Sequence, residues 1–307
     1  MEILKLNPVF KDYIWGGTRL HTDYGFNTGF DKTAEGWMLV CHKDGVNTVD
    51  GGEFDKMPLD KVIDQVGLEA IGGKNCLKFP YFPVLIKLID AKDNLSVQVH
   101  PNDEYALRVE GEFGKTEMWY VVDHEPGAGI YYGFKHEITK EEFRRRIGDN
   151  TLTEVLNFVP VETGKTYFIE SGTIHAIGKG ILIAEIQQNS NTTYRVSDYG
   201  RLGADGKPRP LHIEKAVEVT RLAPPRPHIP QNKALLADCK YFKVRLLQMQ
   251  SGAELNVDGG SFSSILCLEG QAELGGVHLE KGDCAFIPAG FGSVQLLGSG
   301  KFIESRV

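Results

Sequence analysis

Two polar side chains that could bind a metal or move a proton, Gln98 and His100, alternate with apolar residues over positions 95–100. The period of two is that of a strand buried on both faces, and it places the two side chains on one face, roughly 7 Å apart. A buried amide or imidazole without a partner costs about 1–3 kcal/mol, so an inward polar row needs partners. A lone histidine is more often a hydrogen-bonded core residue than a ligand. The interpretation therefore depends on further ligands.

Two more potential ligands lie further along the chain in strand-like segments. Glu117 is in the alternating segment 115–122, and His175 follows a short segment bounded by glycines. If these strands line one interior, then Gln98, His100, Glu117 and His175 form an inward cluster from three strands. Neutral imidazoles and a carboxylate suit Zn²⁺ with an open position, and two histidines with one carboxylate also fit non-haem Fe²⁺. The residues alone predict a metal site without fixing the metal.

An internal repeat indicates the fold that would carry these strands. Residues 164–172 and 282–290 share a glycine turn, a Phe-Ile strand core and a second glycine turn at the same spacing. The pattern resembles the second motif of a cupin, a small double-sheet jelly roll. We therefore predict a mainly β protein with two cupin-like jelly-roll barrels and a few short helices. Ser293 stands where His175 stands in the first copy, so the second barrel is predicted to be free of metal.

The proline-rich stretch at residues 223–233 is stiff and cannot continue a helix or a central strand. We predict that it links a catalytic cupin domain with short helices at residues 1–222 to a degenerate cupin domain at residues 234–307. The second domain is expected to cover apolar surface of the first and to close one side of the pocket. Apolar spacing and capping residues predict helices over residues 58–71, after Asn102, from Thr139 to Gly148 and over residues 211–219.

Composition and charge restrict the class of protein. The 307 residues can bury a large core, and the net charge of −7 argues against a general nucleic-acid binder. Five scattered cysteines without CxxC spacing are typical of reduced thiols in a cytoplasmic protein. The first residues lack a signal-peptide pattern, and the most apolar run, residues 81–89, contains Lys87. We expect a cytoplasmic protein without membrane or nucleic-acid partners, and no feature sets its oligomeric state.

Other side chains could belong to a pocket. Trp15 lies beside a glycine turn, and the carboxylate of Glu35 is flanked by apolar positions. Lys115 precedes Glu117 by two positions, so their shared strand face directs the ammonium group to the same cavity. Arg195 is predicted to lie in a glycine-free polar loop, where its guanidinium could bind a phosphate or stabilise an enediolate.

Four motifs together resemble those of the type I mannose-6-phosphate isomerase family, in its shorter form without a large inserted helical domain. They are Gln98-Val99-His100-Pro101-Asn102-Asp103, Gly114-Lys115-Thr116-Glu117-Met118-Trp119, Gly172-Thr173-Ile174-His175-Ala176 and Asn191-Thr192-Thr193-Tyr194-Arg195. The resemblance covers essentially the whole chain, from Tyr13-Ile14-Trp15-Gly16-Gly17 onward. One departure is Ile177, which stands where longer relatives have a pocket tyrosine.

The resemblance implies specific roles for residues of the site. It implies one Zn²⁺ per chain, held by Gln98, His100, Glu117 and His175. It places Arg195 at the active-site arginine and gives polar or basic pocket positions to Ser96, Lys87 and Lys115. Trp15, Glu35 and Asn191 are expected to contact the substrate as well.

The implied activity is zinc-dependent interconversion of mannose 6-phosphate and fructose 6-phosphate through an enediol or enediolate, with the sugar phosphate as the partner. The proton-abstracting group stays open among Glu185, Lys115 and a metal-bound water. Alternatives are another metal-dependent cupin, such as a different sugar-phosphate isomerase or an iron oxygenase, and a non-catalytic sugar-phosphate sensor. Lys115 and Arg195 beside a complete ligand set favour catalysis, because binding alone needs no metal.

Overall fold

The computed structural model describes residues 1–203, 206–226, 232 and 234–307. The strands within these residues are, in chain order, β1 (Leu4–Asn7), β2 (Val9–Lys11), β3 (Glu35–Leu39), β4 (Cys41–His42), β5 (Gly45–Val46), β6 (Thr48–Asp50), β7 (Val84–Ala91), β8 (Val97–Val99), β9 (Glu117–His124), β10 (Gly129–Phe134), β11 (Leu156–Pro160), β12 (Thr166–Ile169), β13 (His175–Ile177), β14 (Ile181–Gln188), β15 (Tyr194–Ser197), β16 (Leu235–Asp238), β17 (Lys243–Met249), β18 (Gly252–Val257), β19 (Ser263–Leu274), β20 (Val277–Glu280), β21 (Cys284–Ile287) and β22 (Gly292–Arg306). The helices are α1 (Arg19–Thr22), α2 (Leu59–Val66), α3 (Leu68–Gly72), α4 (Asp103–Val109), α5 (Lys140–Gly148) and α6 (Ile213–Val219), with 3₁₀ turns at Cys76–Lys78 and Leu152–Val155. The prediction of a mainly β protein with a few short helices is confirmed.

Two helices form where capping residues predicted them. The side chains of Asn102 and Thr139 each accept a hydrogen bond from a backbone N–H in the first turn, of α4 and α5 respectively. The single helix predicted over residues 58–71 is instead two helices, α2 and α3. Gly67 separates them with a φ of 90°, a left-handed angle that glycine adopts without strain. No helix in the described part of the chain is long and apolar enough to cross a membrane.

Three antiparallel sheets form layers. Among the described residues, the strand orders are β12-β9-β14-β7-β3-β2 in a six-stranded sheet, β11-β10-β13-β8-β15 in a five-stranded sheet, and β16-β17-β22-β19-β21-β1-β6 in a nine-stranded sheet that also holds β18 and β20. A buried cluster with Ile89 and Ile183 from the six-stranded sheet and Ile130 and Ile177 from the five-stranded sheet fills the space between these two. The six- and five-stranded sheets therefore form the double-sheet body predicted for the first jelly roll.

The six-stranded sheet is buried on both faces. Leu88 and Ala184 of this sheet share a hydrophobic core with Leu266 of the nine-stranded sheet. Lys87 and Glu185 lie one position away on the same strands, β7 and β14, and line a cavity on the opposite face. Because strand side chains alternate, a single charge in a nearly continuous apolar run projects to one defined face.

The internal repeat predicted from sequence is present in the structure. Residues 164–172 contain β12, and residues 282–290 contain β21. The glycines at the ends of both copies have left-handed backbone angles: φ is 86° at Gly164, 83° at Gly172, 99° at Gly282 and 75° at Gly290. A residue with a Cβ pays about 1–2 kcal/mol in this conformation, which explains why glycine recurs at both ends of each copy.

The first strand of the chain belongs to the sheet built mainly from the last strands. Leu4 of β1 pairs with Phe286 of β21, and β6 pairs with the other edge of β1. The N-terminal residues thus contribute to both halves of the protein. The division at residues 1–222 and 234–307 stays a prediction. Within the predicted linker at residues 223–233, positions 227–231 and 233 lie outside the described residues.

Candidate active site

Three side chains that could hold a metal ion converge between the five- and six-stranded sheets. His100 directly follows β8, Glu117 begins β9 and His175 begins β13. Their potential ligand atoms all lie within 4.8 Å of one another, and all three residues are buried. Gln98 lies beside them, with its amide nitrogen 3.4 Å from His175 Nε2. Sheet register explains the convergence, because His175 lies directly opposite Gln98.

Both imidazoles are oriented with Nε2 toward the centre of this group. His100 Nδ1 lies 2.9 Å from the carbonyl oxygen of Thr192, and His175 Nδ1 lies 2.8 Å from that of Thr173. A carbonyl can only accept, so each Nδ1 carries the proton and each Nε2 is unprotonated. His100 Nε2 lies 3.3 Å from Lys115 Nζ, which can donate to its lone pair. Burial lowers the pKa of His175 to about 4 and lowers the pKa of His100 well below its usual value. Both rings are therefore neutral, which is the form that binds metal ions.

The carboxylate of Glu117 completes the group, and one of its oxygens lacks a donor. Glu117 Oε1 lies 3.4 Å from His175 Nε2, but no hydrogen-bond donor among the described residues reaches it. Burial, aided by the charge of Glu185, raises the pKa of Glu117 to about 7. A cation at this point would bind the orphan oxygen and oppose that rise. Two imidazole nitrogens, one carboxylate and the carboxamide of Gln98, turned so that its oxygen faces inward, fit a divalent metal.

A row of alternating buried charges crosses the six-stranded sheet next to this group. Lys87 Nζ lies 3.2 Å from Glu35 Oε2 and 3.4 Å from Glu185 Oε1. Lys115 Nζ lies 3.6 Å from the same oxygen of Glu185 and donates a hydrogen bond to Glu117. When all five groups are ionised, three carboxylates and two ammonium groups leave one excess negative charge. A buried excess charge is costly, so this row favours an additional cation beside it.

The charges in the row support one another. Burial acts to raise the pKa of Glu185, but the positive charges of Lys115 and Lys87 outweigh it and lower that pKa. Burial acts to lower the pKa of Lys87, but the carboxylates of Glu35 and Glu185 outweigh burial and raise that pKa. Indole N–H groups add to these contacts. Trp37 Nε1 donates at 2.6 Å to Glu35 Oε2, the oxygen that also faces Lys87, and Trp119 Nε1 donates at 2.9 Å to Glu185 Oε2.

A cavity of about 280 Å³ opens onto the charge row. Its walls combine aromatic, apolar and charged side chains from both sheets, namely Tyr13, Trp15, Glu35, Lys87, Ile89, Leu95, Ser96, Gln98, Lys115, Ile177, Glu185, Asn191, Thr193, Arg195 and Arg209. No described residue in the range 234–307 lines the cavity. The prediction that this second domain closes one side of the pocket is therefore wrong for the described residues. The same segment does cover apolar surface of the six-stranded sheet, as predicted.

Arg195 lies in strand β15, and the prediction that it lies in a loop is wrong. The strand pairs with β8 and places Arg195 opposite Gln98. Arg195 Nε donates to Ser96 Oγ at 3.3 Å, and Nη1 donates to the carbonyl of Pro210 at 3.1 Å. Burial and the charge of Arg209 lower the pKa of Arg195. The guanidinium nevertheless stays charged at neutral pH, since arginine titrates far above it.

Sequence reasoning located most of the cavity wall and missed Arg209. Every pocket residue predicted from the resemblance lines the cavity, and Ile177 makes that part of the wall apolar. Arg209 is held by Asp198, to which its Nε and Nη2 donate at 2.6 and 2.7 Å. The sequence shows only a basic residue between Pro208 and Pro210. The segment has no strand or helix periodicity, so the direction of the Arg209 side chain could not be predicted.

Comparisons with known proteins agree along the whole chain. The family model for the catalytic domain of type I phosphomannose isomerase matches residues 3–132, and that for the mannose-6-phosphate isomerase cupin domain matches residues 232–307. The mannose-6-phosphate isomerase ManA of Bacillus subtilis is 38% identical over 323 residues, covering 100% of this chain and 99% of that protein. The mannose-6-phosphate isomerase of Streptococcus mutans is 37% identical over 315 residues, covering 99% of this chain and 98% of that protein.

A solved structure shows the same arrangement of strands. The crystal structure of the mannose 6-phosphate isomerase from Bacillus subtilis superimposes with a TM-score of 0.90 at 33% identity and covers 100% of both chains. Similarity of sequence and of fold thus extends over both halves of the protein. The chain belongs to the type I phosphomannose isomerase family of enzymes.

Proposed function

We propose that this protein is a zinc-dependent isomerase that interconverts mannose 6-phosphate and fructose 6-phosphate, with one zinc per chain. The observation that carries the proposal is the group formed by His100, Glu117 and His175, whose potential ligand atoms lie within 4.8 Å of one another beside a cavity lined by Lys115 and Arg195. When bound, Zn²⁺ would supply Lewis acidity toward a sugar oxygen. Gln98 is the fourth proposed ligand.

The cavity walls suit a compact anionic sugar. Arg195 and Arg209 both line the cavity, and guanidinium groups bind phosphate oxygens through paired N–H donors. We assign the phosphate group to this wall. Trp15 offers an apolar surface to the sugar ring, and Asn191 and Glu35 offer hydrogen-bonding groups to its hydroxyls.

The proposed reaction transfers a proton between C1 and C2 of the open-chain sugar, through an enediol or enediolate. We assign this transfer to Glu185, because its Oε2 is occupied by the Trp119 N–H while its Oε1 accepts no hydrogen bond within the described residues. The ammonium of Lys115 lies 3.6 Å from that Oε1 and can stabilise negative charge on the enediolate oxygen.

We also propose that the protein works in the cytoplasm. All five cysteines are unpaired thiols, and three of them, Cys76, Cys267 and Cys284, are buried. Burial raises the pKa of each of these three to about 12, so they stay protonated and unreactive at neutral pH. Free thiols are the usual state in a reducing compartment.

Purified protein should convert mannose 6-phosphate to fructose 6-phosphate, lose this activity with a chelator and regain it with Zn²⁺. Metal analysis should find about one zinc per chain, since the described residues contain one such group of ligands. The reaction can be followed by ¹H NMR in D₂O, where deuterium at C1 or C2 would support proton transfer through an enediol. Full activity in verified metal-free protein would disprove zinc dependence. Faster turnover of another sugar phosphate, such as glucose 6-phosphate, would disprove the substrate assignment.

Arg195→Lys should retain the charge at the cavity wall and still lose activity. The lysine lacks the planar fork that can bind Ser96 and a substrate oxygen together, and loss of one such donor costs about 10²–10³ in kcat. A higher KM at unchanged kcat would assign Arg195 to uniform substrate binding, whereas a lower kcat would assign it to the transition state. Arg144→Lys is the matched control, because Arg144 is an exposed residue of α5 that pairs with Glu214. Parental turnover by Arg195→Ala would contradict the assignment.

A further inference from the structure

The carbonyl group that orients the imidazole of His100 belongs to an irregular segment between β14 and β15. His100 Nδ1 donates to the carbonyl oxygen of Thr192 at 2.9 Å. The direction of His100 Nε2 therefore depends on where the Thr192 peptide is held. In a regular strand the ladder of backbone hydrogen bonds would fix that position, but Thr192 precedes β15 and has no such ladder.

A carboxylate outside the cavity, that of Glu112, holds this segment. Thr192 Oγ1 donates to Glu112 Oε2 at 3.1 Å, and the backbone N–H of Asn191 donates to the same oxygen at 3.4 Å. Ser190, on the β14 side, is fixed through its carbonyl, which accepts from Gln187 Nε2 at 2.7 Å, and its Oγ accepts from the backbone N–H of Thr192 at 3.2 Å. Glu112 thus contacts Asn191 and Thr192, the two residues that follow Ser190 and include the carbonyl that binds His100.

Glu112 is itself fixed from the opposite side. Its Oε1 forms an ion pair with Lys43 Nζ and lies 3.6 Å from His42 Nε2. Burial acts to raise the pKa of Glu112, but hydrogen bonds from Lys43 and Thr192 outweigh burial and lower that pKa. The carboxylate is therefore ionised and accepts at both oxygens. Glu112 does not line the cavity described above.

We propose that Glu112 is a positioning residue for the metal ligand His100 and acts through the hydroxyl and carbonyl of Thr192. The inference rests on the proposed metal site and adds a residue beyond its ligands and their immediate partners. Partners of a ligating histidine change metal affinity by about 10–100-fold. Glu112 acts one step further out, so an effect of about 10-fold, the lower end of that range, is expected.

The test compares Glu112→Gln and Thr192→Val with two matched variants. Thr192→Ser keeps the hydroxyl that Thr192→Val removes, and both keep the carbonyl. Glu110→Gln is the control for loss of a nearby carboxylate, because Glu110 accepts from Tyr194 Oη and Lys215 Nζ and not from Asn191 or Thr192. For each variant, the dissociation constant for Zn²⁺ is measured by competition with a chromophoric chelator, and the visible spectrum of the Co²⁺-substituted protein is recorded. Thermal unfolding of the metal-free forms shows whether each variant is folded.

The proposal expects Glu112→Gln and Thr192→Val to weaken Zn²⁺ binding about 10-fold and to change the Co²⁺ spectrum. Thr192→Ser and Glu110→Gln should bind like the parent. If Glu112→Gln does not fold, the comparison of Thr192→Val with Thr192→Ser decides.

Parental affinity and spectrum in Thr192→Val would overturn the inference and leave the proposed function standing. Equal losses in all four variants would also overturn it, by showing a general loss of stability. A parent that binds no metal would overturn the proposed metal site first and this inference with it.

Discussion

Replacing His100 by alanine should abolish isomerase activity and remove most of the bound zinc. The substitution deletes one of the two imidazole nitrogens in the group, so the remaining ligands would hold the metal less tightly. Lewis-acid stabilisation contributes several kcal/mol, and each ~1.4 kcal/mol is a factor of ten in rate. We therefore expect kcat/KM to fall by about 10³-fold or more. Zinc content by atomic emission and kcat/KM should be measured on the same preparation.

The matched control for this variant is His278→Ala. His278 lies on β20 of the nine-stranded sheet, is half exposed and pairs with Glu273 at 2.6 Å. It should keep the parental zinc content and activity. Retention of stoichiometric zinc by His100→Ala would contradict its role as a ligand. Loss of zinc in both variants would show that the measurement reports stability and not ligation.

Lys115→Met should destabilise the protein as well as inactivate it. Lys115 is 4% exposed and lies between the carboxylates of Glu117 and Glu185, so its removal leaves two buried anions with one fewer cation. Breaking a buried ion pair from one side costs about 3–5 kcal/mol. Loss of a proton-transfer or charge-stabilising group lowers kcat by about 10²–10⁴. Urea unfolding of the metal-free protein measures the first effect, and steady-state kinetics measure the second.

The double variant Lys115→Met with Glu185→Gln separates the two effects. Neutralising Glu185 removes one of the unbalanced anions, so the double variant should be more stable than Lys115→Met alone while remaining inactive. Lys165→Met is the control, because Lys165 is exposed and pairs only loosely with Glu162 at 3.8 Å. It should differ from the parent by less than about 0.5 kcal/mol, as expected of a surface substitution. A double variant less stable than Lys115→Met would contradict the electrostatic account of the row.

The sequence was informative where a polar residue interrupts a regular apolar pattern. Lys87 interrupts the apolar run at residues 81–89, and Gln98 alternates with Val97 and Val99, so the direction of each side chain follows from the strand period. The glycines of the internal repeat predicted its turns because a positive φ excludes most other residues. Both signals depend only on neighbouring residues in the sequence, namely the alternation of side chains along a strand and the positive φ at a glycine turn.

The features missed from the sequence depend on distant partners. The pattern around Arg195 is polar, and its strand forms because Val97–Val99 provides a pairing edge about 100 residues earlier. Arg209 is directed by an ion pair with Asp198 and not by any periodic element. The pairing of β1 with β21 joins opposite ends of the chain, and no short-range pattern records it. Long-range contacts of this kind are decided by the assembled fold.

The position of β1 also constrains how the protein can be synthesised. One edge of β1 pairs with β6 soon after both leave the ribosome, but the other edge must wait for β21, which is made about 280 residues later. Closing a loop of about 280 residues costs about 5 kcal/mol in chain entropy, so this pairing depends on the rest of the fold being in place. Until then Leu4 and Leu6, both buried in the finished core, border an open strand edge. Open apolar edges pair readily with other chains, so the nascent protein carries an aggregation hazard at β1 until β21 has been made.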